Sequence, residues 1–219
     1  MAAQNDASLF LGISSEDYSK SLYDILVGQE GTSISECTIQ ARENLDLLPS
    51  KYVDRINAEL YRADDVEIKY FLNHKLQGLE QLGYNYTIVD CGPQRSKIND
   101  TVLYYVDGII VPVQVEAASV RAIGNVYEYL SDLGLDAGMI SMVVPNMYDQ
   151  RTSDGRENLE FIKEFFADTD ILTTPVQRRI RITESGKMGK TVYEYDEEIS
   201  KQFERIVERL VNINGRKEQ

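Results

Sequence analysis

A mostly parallel α/β sheet with helices on both faces is the fold this sequence predicts, and three features point to it. Continuous apolar runs recur at residues 86–90 (YTIVD), 108–114 (GIIVPVQ) and 139–145 (MISMVVP), with a weaker fourth at 170–174 (DILTT). Stretches with helical spacing of apolar residues, at 117–133, 155–166 and 197–213, lie between or after them. The runs do not alternate apolar with polar, which is the pattern of strands buried on both faces. Parallel strands need crossovers long enough for a helix, and the intervening stretches supply them.

The first 40 residues are the least regular. Ser14, Ser15 and Asp17 read as helix caps before a helix at 18–27, where Leu22, Ile25 and Leu26 share a face. Residues 44–49 (NLDLLP) read as a short strand ended by proline. Residues 53–80 read as one helix, with Ile56, Leu60, Ile68, Phe71, Leu72, Leu76 and Leu79 as its apolar stripe and Gly83 as its break. Val192–Tyr195 reads as a strand. No repeat, low-complexity tract or Pro/Gly-rich linker divides the chain, so residues 1–219 are expected to form one domain.

Composition narrows the function classes. The 219 residues are 42% hydrophobic, enough for a sizeable core, and carry a net charge of -13. That balance argues against a protein that coats nucleic acid with its whole surface, but allows a local basic face. No run approaches the ~18 apolar residues of a membrane span. The N-terminus lacks the basic-then-apolar order of a signal peptide. Helix 197–213 carries Glu198, Glu204 and Glu208, which suits packing on protein better than lying on an anionic membrane. Cys37 and Cys91 form no framework and fit a reducing cytoplasm. The Asn-x-Thr triplets at Asn85 and Asn99 are then chance matches. The lone His74, and the lack of any Cys/His cluster or G-x-S-x-G elbow, give no metal centre or serine hydrolase.

In parallel sheets chemistry gathers at the carboxyl ends of strands. The residues to watch are therefore Asp90–Pro93, Gln114–Glu116, Asn146–Tyr148 and the chain from Pro175 onward. Asp90 closes an apolar run as the acid of a Walker B strand does, where it holds magnesium, often through water, beside nucleotide phosphates. The run GKMGKT at 186–191 contains a GKT but is no phosphate loop: Glu184 stands where the first glycine is required.

Several ordered blocks together resemble the ParA/Soj-like partition ATPases, the deviant-Walker branch of the P-loop NTPase fold. YNYTIVDCGP resembles that family's Walker B stretch. The block TVLYYVDGIIVPVQVEAASVRAI, with Pro112, Gln114 and Glu116, is similar to the segment that follows. MVVPNMYDQRTS and TPVQRRIRITESGKMGKTVYEYD resemble two later loops, and SLYDILVGQ and NLDLLPS match upstream segments. The resemblance implies a three-layer sheet and an ATP- and Mg-dependent DNA segregation protein. It assigns the adenine to Asn146, Met147 and Pro175, and magnesium to Asp90. It assigns non-specific DNA to Arg151 and Arg181, with Lys187 in a basic cluster alongside Arg178, Arg179 and Lys190. It implies a ParB-like partner, a homodimer or a dimer with an intact ParA, and a cytoplasmic, nucleoid-associated location.

The printed chain departs from the family pattern at its start. Nothing in it corresponds to the KGGVGKT loop or its strand, and Ala2 and Ala3 stand where the family has Asp and Pro. As given, the chain is therefore expected to bind ATP very weakly, to lack hydrolysis, and to leave strand 86–90 without its central neighbour. The favoured expectation is a stable form that includes upstream residues, with re-pairing of neighbouring strands as runner-up. The alternative function is a non-catalytic DNA- or partner-binding regulator of an intact ParA or ParB-like protein.

Overall fold

The computed structural model describes residues 6–28 and 31–217. Ala2 and Ala3 lie outside the described residues. The chain divides into two compact units, one of residues up to Val106 with Lys187–Gly189, the other of Asp107–Gly186 with Lys190 onward.

The first unit is mainly helical. It contains α1 (Asp6–Phe10), α2 (Leu22–Leu26), α3 (Ile34–Cys37), the antiparallel pair β1 (Ile39–Arg42) and β2 (Leu45–Leu47), α4 (Val53–Leu60), α5 (Asp65–Lys75), a 3₁₀ turn (Leu79–Leu82) and α6 (Lys97–Tyr105). Capping chemistry sets the boundaries and corrects two expectations. Helix α2 begins at Leu22 rather than at residue 18, because Ser21 caps it and Asp24 returns a carboxylate to the Ser21 N–H at 2.8 Å. Ser14 and Asp17 close a separate turn instead, with Ser14 N–H donating to Asp17 at 2.7 Å. The helix expected over 53–80 is broken in two. Asp64 caps α5 by accepting from Glu67 N–H (2.8 Å), while the Glu67 carboxylate accepts from Asp64 N–H (3.0 Å). The apolar stripe survives the break. Ile56, Leu60, Ile68, Leu72 and Leu76 are buried with Ile98 and Val102 of α6 in one core.

Residues 86–90 are not a strand. They join no ladder among the described residues, and Ile88 is 81% exposed. An apolar run becomes a strand only when a neighbour takes its backbone hydrogen bonds, and here no described strand lies beside it. Replacing Ile88 by serine should therefore change the stability of this chain by no more than about 0.5 kcal/mol and reduce its aggregation. A loss of several degrees in thermal midpoint would show that Ile88 is buried in solution.

The second unit is mixed α/β with parallel strands. It contains β3 (Ile109–Gln114), α7 (Ser119–Asp132), a 3₁₀ turn (Ala137–Met139), β4 (Ile140–Asn146), α8 (Ser153–Phe165), α9 (Ile180–Lys187), α10 (Val192–Tyr195) and α11 (Glu197–Lys217). Strands β3 and β4 pair in parallel, from Ile109 opposite Ile140 to Gln114 opposite Asn146. The weak fourth run reaches β4 only at a single parallel bridge, Val143 with Leu172. Backbone bonds nonetheless carry it along β4. Val143 N–H donates to the Ile171 carbonyl (2.8 Å), Thr173 N–H to that of Val143 (3.0 Å), and Val176 N–H to that of Pro145 (2.8 Å). Met142 and Val144, on one face of β4, meet Val176 and the apolar side of α11: Phe203, Ile206, Leu210 and Ile213. Helix α7 packs on β3 and α8. Val192–Tyr195, expected as strand, is helical because Thr191 and Glu194 form a capping box: Thr191 N–H donates to the Glu194 carboxylate at 2.7 Å.

Candidate functional site

In the first unit, Asp90 is exposed at the end of the run 86–90. The turn after it is fixed by a residue that sequence reasoning set aside. Asn99, buried in α6, donates its amide to the carbonyls of Gly92 (2.9 Å) and Gln94 (2.6 Å). Ser96 caps the same helix. The signal was available in the sequence, because Ser96 followed by an apolar-periodic stretch marks a helix start and Asn99 falls on its first turn.

The second unit carries more. Strand β4 ends at Asn146, whose side-chain oxygen accepts from the Met147 N–H at 2.8 Å. Met147 adopts a left-handed backbone, φ 55°, and is half exposed. Left-handed conformation is uncommon outside glycine, and here it turns the chain sharply off the strand. The next residue is stitched to the segment after Pro175. Tyr148 N–H donates to the Val176 carbonyl (3.0 Å), Arg178 N–H donates to the Tyr148 carbonyl (2.9 Å), and Tyr148 bridges Gln177 in parallel. Two loops far apart in sequence thus run side by side.

Those loops carry arginines. Arg151 grips Asp149 with both edges of its fork: Nε donates to Oδ1 at 2.9 Å and Nη2 to Oδ2 at 2.7 Å. Its backbone N–H also donates to Oδ1, at 3.0 Å. These bonds from Arg151, helped by the nearby charge of Arg178, hold the Asp149 carboxyl far below the usual carboxylate range. Because the folded-state value is lowered, the pair stabilises the fold above the ordinary aspartate range and loses that contribution only as pH falls through the lowered value. Neutral and mildly acid conditions leave it intact.

Arg181 is in α9 rather than in a loop, and its Nη1 donates to Asp196 at 2.8 Å. Asp196 in turn caps α11, accepting from the N–H groups of Glu198 and Ile199, both at 3.1 Å. The Ile199 bond is the main reason its carboxyl titrates low, with Arg181 adding to it. Arg178 and Arg179 are exposed, and Arg179 also donates to the Gln177 side chain. Lys187 ends α9 and groups with the first unit. The structure thus places Arg151 on one carboxylate and Arg181 on a second, with Arg178 on the segment stitched to Tyr148.

With its oxygen engaged, Asn146 can still offer its amide N–H groups to a base. The one Gly-Lys run is no phosphate cradle. Gly186–Thr191 begins in the last turn of α9 rather than after a strand, and precedes the four-residue α10. Gly189 is left-handed (φ 62°) and lies against Gly12, and its carbonyl accepts from Arg42 Nη2 at 2.7 Å. Among the described residues no group of three or more His, Cys, Asp or Glu could hold a metal. No described helix is long and apolar enough to cross a membrane.

Comparison with known proteins agrees with this fold. A family model described as an AAA domain matches residues 1–136. The chain is 28% identical over 197 residues to the sporulation initiation inhibitor protein Soj of Bacillus subtilis, covering 88% of this chain and 76% of Soj. It is 27% identical over 199 residues to an uncharacterised Mycobacterium tuberculosis protein, covering 88% of this chain but only 60% of that one. Among solved structures, apo McdA of Cyanothece superposes with a TM-score of 0.79 at 20% identity, covering 95% of this chain and 84% of McdA. By family model, relatives and fold together, the chain belongs to the AAA-domain family of ParA/MinD-like partition ATPases.

Proposed function

We propose that this chain serves DNA partitioning by holding the phosphate backbone of DNA, without sequence preference, on the arginines of its second unit. The observation that carries the reading is the stitching of Tyr148 to residues 176–178, which brings the loop of exposed Arg151 alongside the segment of exposed Arg178. Arginine suits this task because its planar fork offers paired donors to phosphate oxygens. Arg179 and Arg181 lie on the same stretch and extend the positive surface. Relatives are named for the same process: a chromosome-partitioning ATPase Soj in Thermus thermophilus and a chromosome partitioning protein ParA in Myxococcus xanthus. A second copy of the chain would double the arginine set, and a ParB-like protein is the regulatory partner this reading calls for. Binding would place the protein on the nucleoid.

The test is binding of a fluorescent random-sequence duplex across a salt series. The double variant Arg151→Ala/Arg178→Ala should bind at least about tenfold more weakly. Its salt dependence should fall by about 0.9 in log–log slope for each phosphate contact removed. Unchanged affinity and slope would overturn the proposal.

A further inference from the structure

We infer that Asp149 is a built-in phosphate surrogate: its carboxylate occupies the Arg151 fork in the free protein, and an incoming phosphodiester must displace it. This inference rests on the DNA reading above and adds a regulatory element to that site.

The geometry is that of a ligand already in place. The two carboxylate oxygens take the Arg151 fork at 2.9 and 2.7 Å, as two phosphate oxygens would. Arg178, from the other loop, is held beside Tyr148, its N–H donating to the Tyr148 carbonyl at 2.9 Å. The exposures are unequal: the Arg151 side chain is 83% exposed and that of Asp149 only 26%. The carboxylate therefore approaches from the protein side while the guanidinium faces solvent, where a competing anion can reach it.

The anchoring is also unequal. The Asp149 carbonyl accepts from Thr152 Oγ1 (3.1 Å) and Thr152 N–H (3.4 Å), which ties its backbone to the first turn of α8. Arg151 is held through its backbone N–H and through a long side chain that can rotate about several bonds. Displacement then needs a rotation of Arg151 and no movement of the loop. An ion pair this exposed is weak enough for a polyanion to compete with it.

The same arrangement occurs a second time. Arg181, 62% exposed, is held by Asp196, 15% exposed. Both arginines assigned to DNA are thus backed by a carboxylate less exposed than they are. In a chain of net charge -13, such backing keeps the arginines from small anions yet yields to the dense charge of a duplex.

The experiment compares wild type, Asp149→Asn, Arg151→Ala and the double variant Asp149→Asn/Arg151→Ala, all as the full chain with matched thermal melts, by anisotropy on a random-sequence duplex. Asparagine keeps an oxygen for the Arg151 backbone N–H, so the loop holds while the charge goes. Asp149→Asn should bind about fivefold more tightly. Arg151→Ala should bind more weakly, and the double variant should match Arg151→Ala, because a mask matters only while there is an arginine to mask. If Arg151→Ala weakens binding but Asp149→Asn equals wild type or falls below it, the surrogate role is lost and the DNA reading stands. If wild type and all variants ignore DNA, the DNA reading is lost. Titration with inorganic phosphate, read at the Arg151 Nε–H by NMR, then still decides the surrogate: a shift at lower phosphate in Asp149→Asn supports it, and equal titration in the two proteins sinks it.

Discussion

Met142→Ala should lower the stability of the second unit by about 2–5 kcal/mol and its thermal midpoint by about 5–15 °C. Met142 is fully buried, and its side chain belongs to the cluster that joins β4 to Val176 and to Phe203, Ile206 and Leu210 of α11. The effect should sit at the high end for a physical reason. The described ladder has two paired strands and one bridged segment, so β4 depends on side-chain packing more than a strand within a broad sheet does. The hole left by alanine would also lie beneath α11, a 21-residue helix with charged residues along its outer side. Collapse onto the hole would pull that helix inward, while refusal to collapse would leave a cavity, and both cost stability. Met142→Leu, which conserves volume, should cost less than about 1.5 kcal/mol. The two variants, melted side by side under circular dichroism, separate cavity formation from general intolerance at the position. Equal, small effects would mean that α11 does not rest on Met142 in solution.

Much of this architecture was legible before any coordinates. The runs that became β3 and β4 were readable because continuous β-branched residues bounded by turns leave few alternatives. The helices α7, α8 and α11 fell where their apolar spacing put them, within a few residues. The misses have two physical origins. One is capping: Ser21 with Asp24, Asp64 with Glu67, and Thr191 with Glu194 all fit the box pattern, and each fixed a boundary or element type that apolar spacing alone misjudged. The other is non-local. Whether residues 86–90 form a strand is decided by a neighbour's backbone and not by their own side chains, so an apolar run ending in Asp90 reads the same either way.

The candidate site was legible only in parts. The family resemblance pointed to Arg151 and Arg181, and the basic cluster around Arg181 stood out in an acidic chain. Neither gave any sign that each would face a carboxylate. Asp149 sits two residues from Arg151 and was in plain view, but the bidentate clasp depends on the turn that follows the left-handed Met147. Asp196 lies 15 positions from Arg181, and their contact arises from the way α9, α10 and α11 fold back. The partnership of Tyr148 with residues 176–178 is likewise a product of strand order, which one sequence does not reveal.

Gly155→Ala should destabilise the chain, although alanine is normally the better helix former. Gly155 lies in the first turn of α8, where its N–H donates to the capping Thr152 Oγ1 at 3.0 Å. A methyl group there would sit 2.4 Å from the Asp149 carbonyl and 2.8 Å from Thr152 Oγ1. The carbonyl is backbone and cannot rotate aside, so the loop that presents Asp149 and Arg151 has to move. Alanine's propensity gain of about 1 kcal/mol is outweighed by an overpacking cost of about 1–3 kcal/mol, and cap and clasp weaken together. Gly124, inside α7, is the control: a methyl there meets nothing within 4 Å. Gly124→Ala should therefore stabilise by up to about 1 kcal/mol. Opposite signs for the same substitution, measured by urea denaturation of both variants, test whether the loop lies against α8 in solution. If Gly155→Ala stabilises as Gly124→Ala does, the Asp149 carbonyl is not seated there, and the clasp on Arg151 loses its anchor.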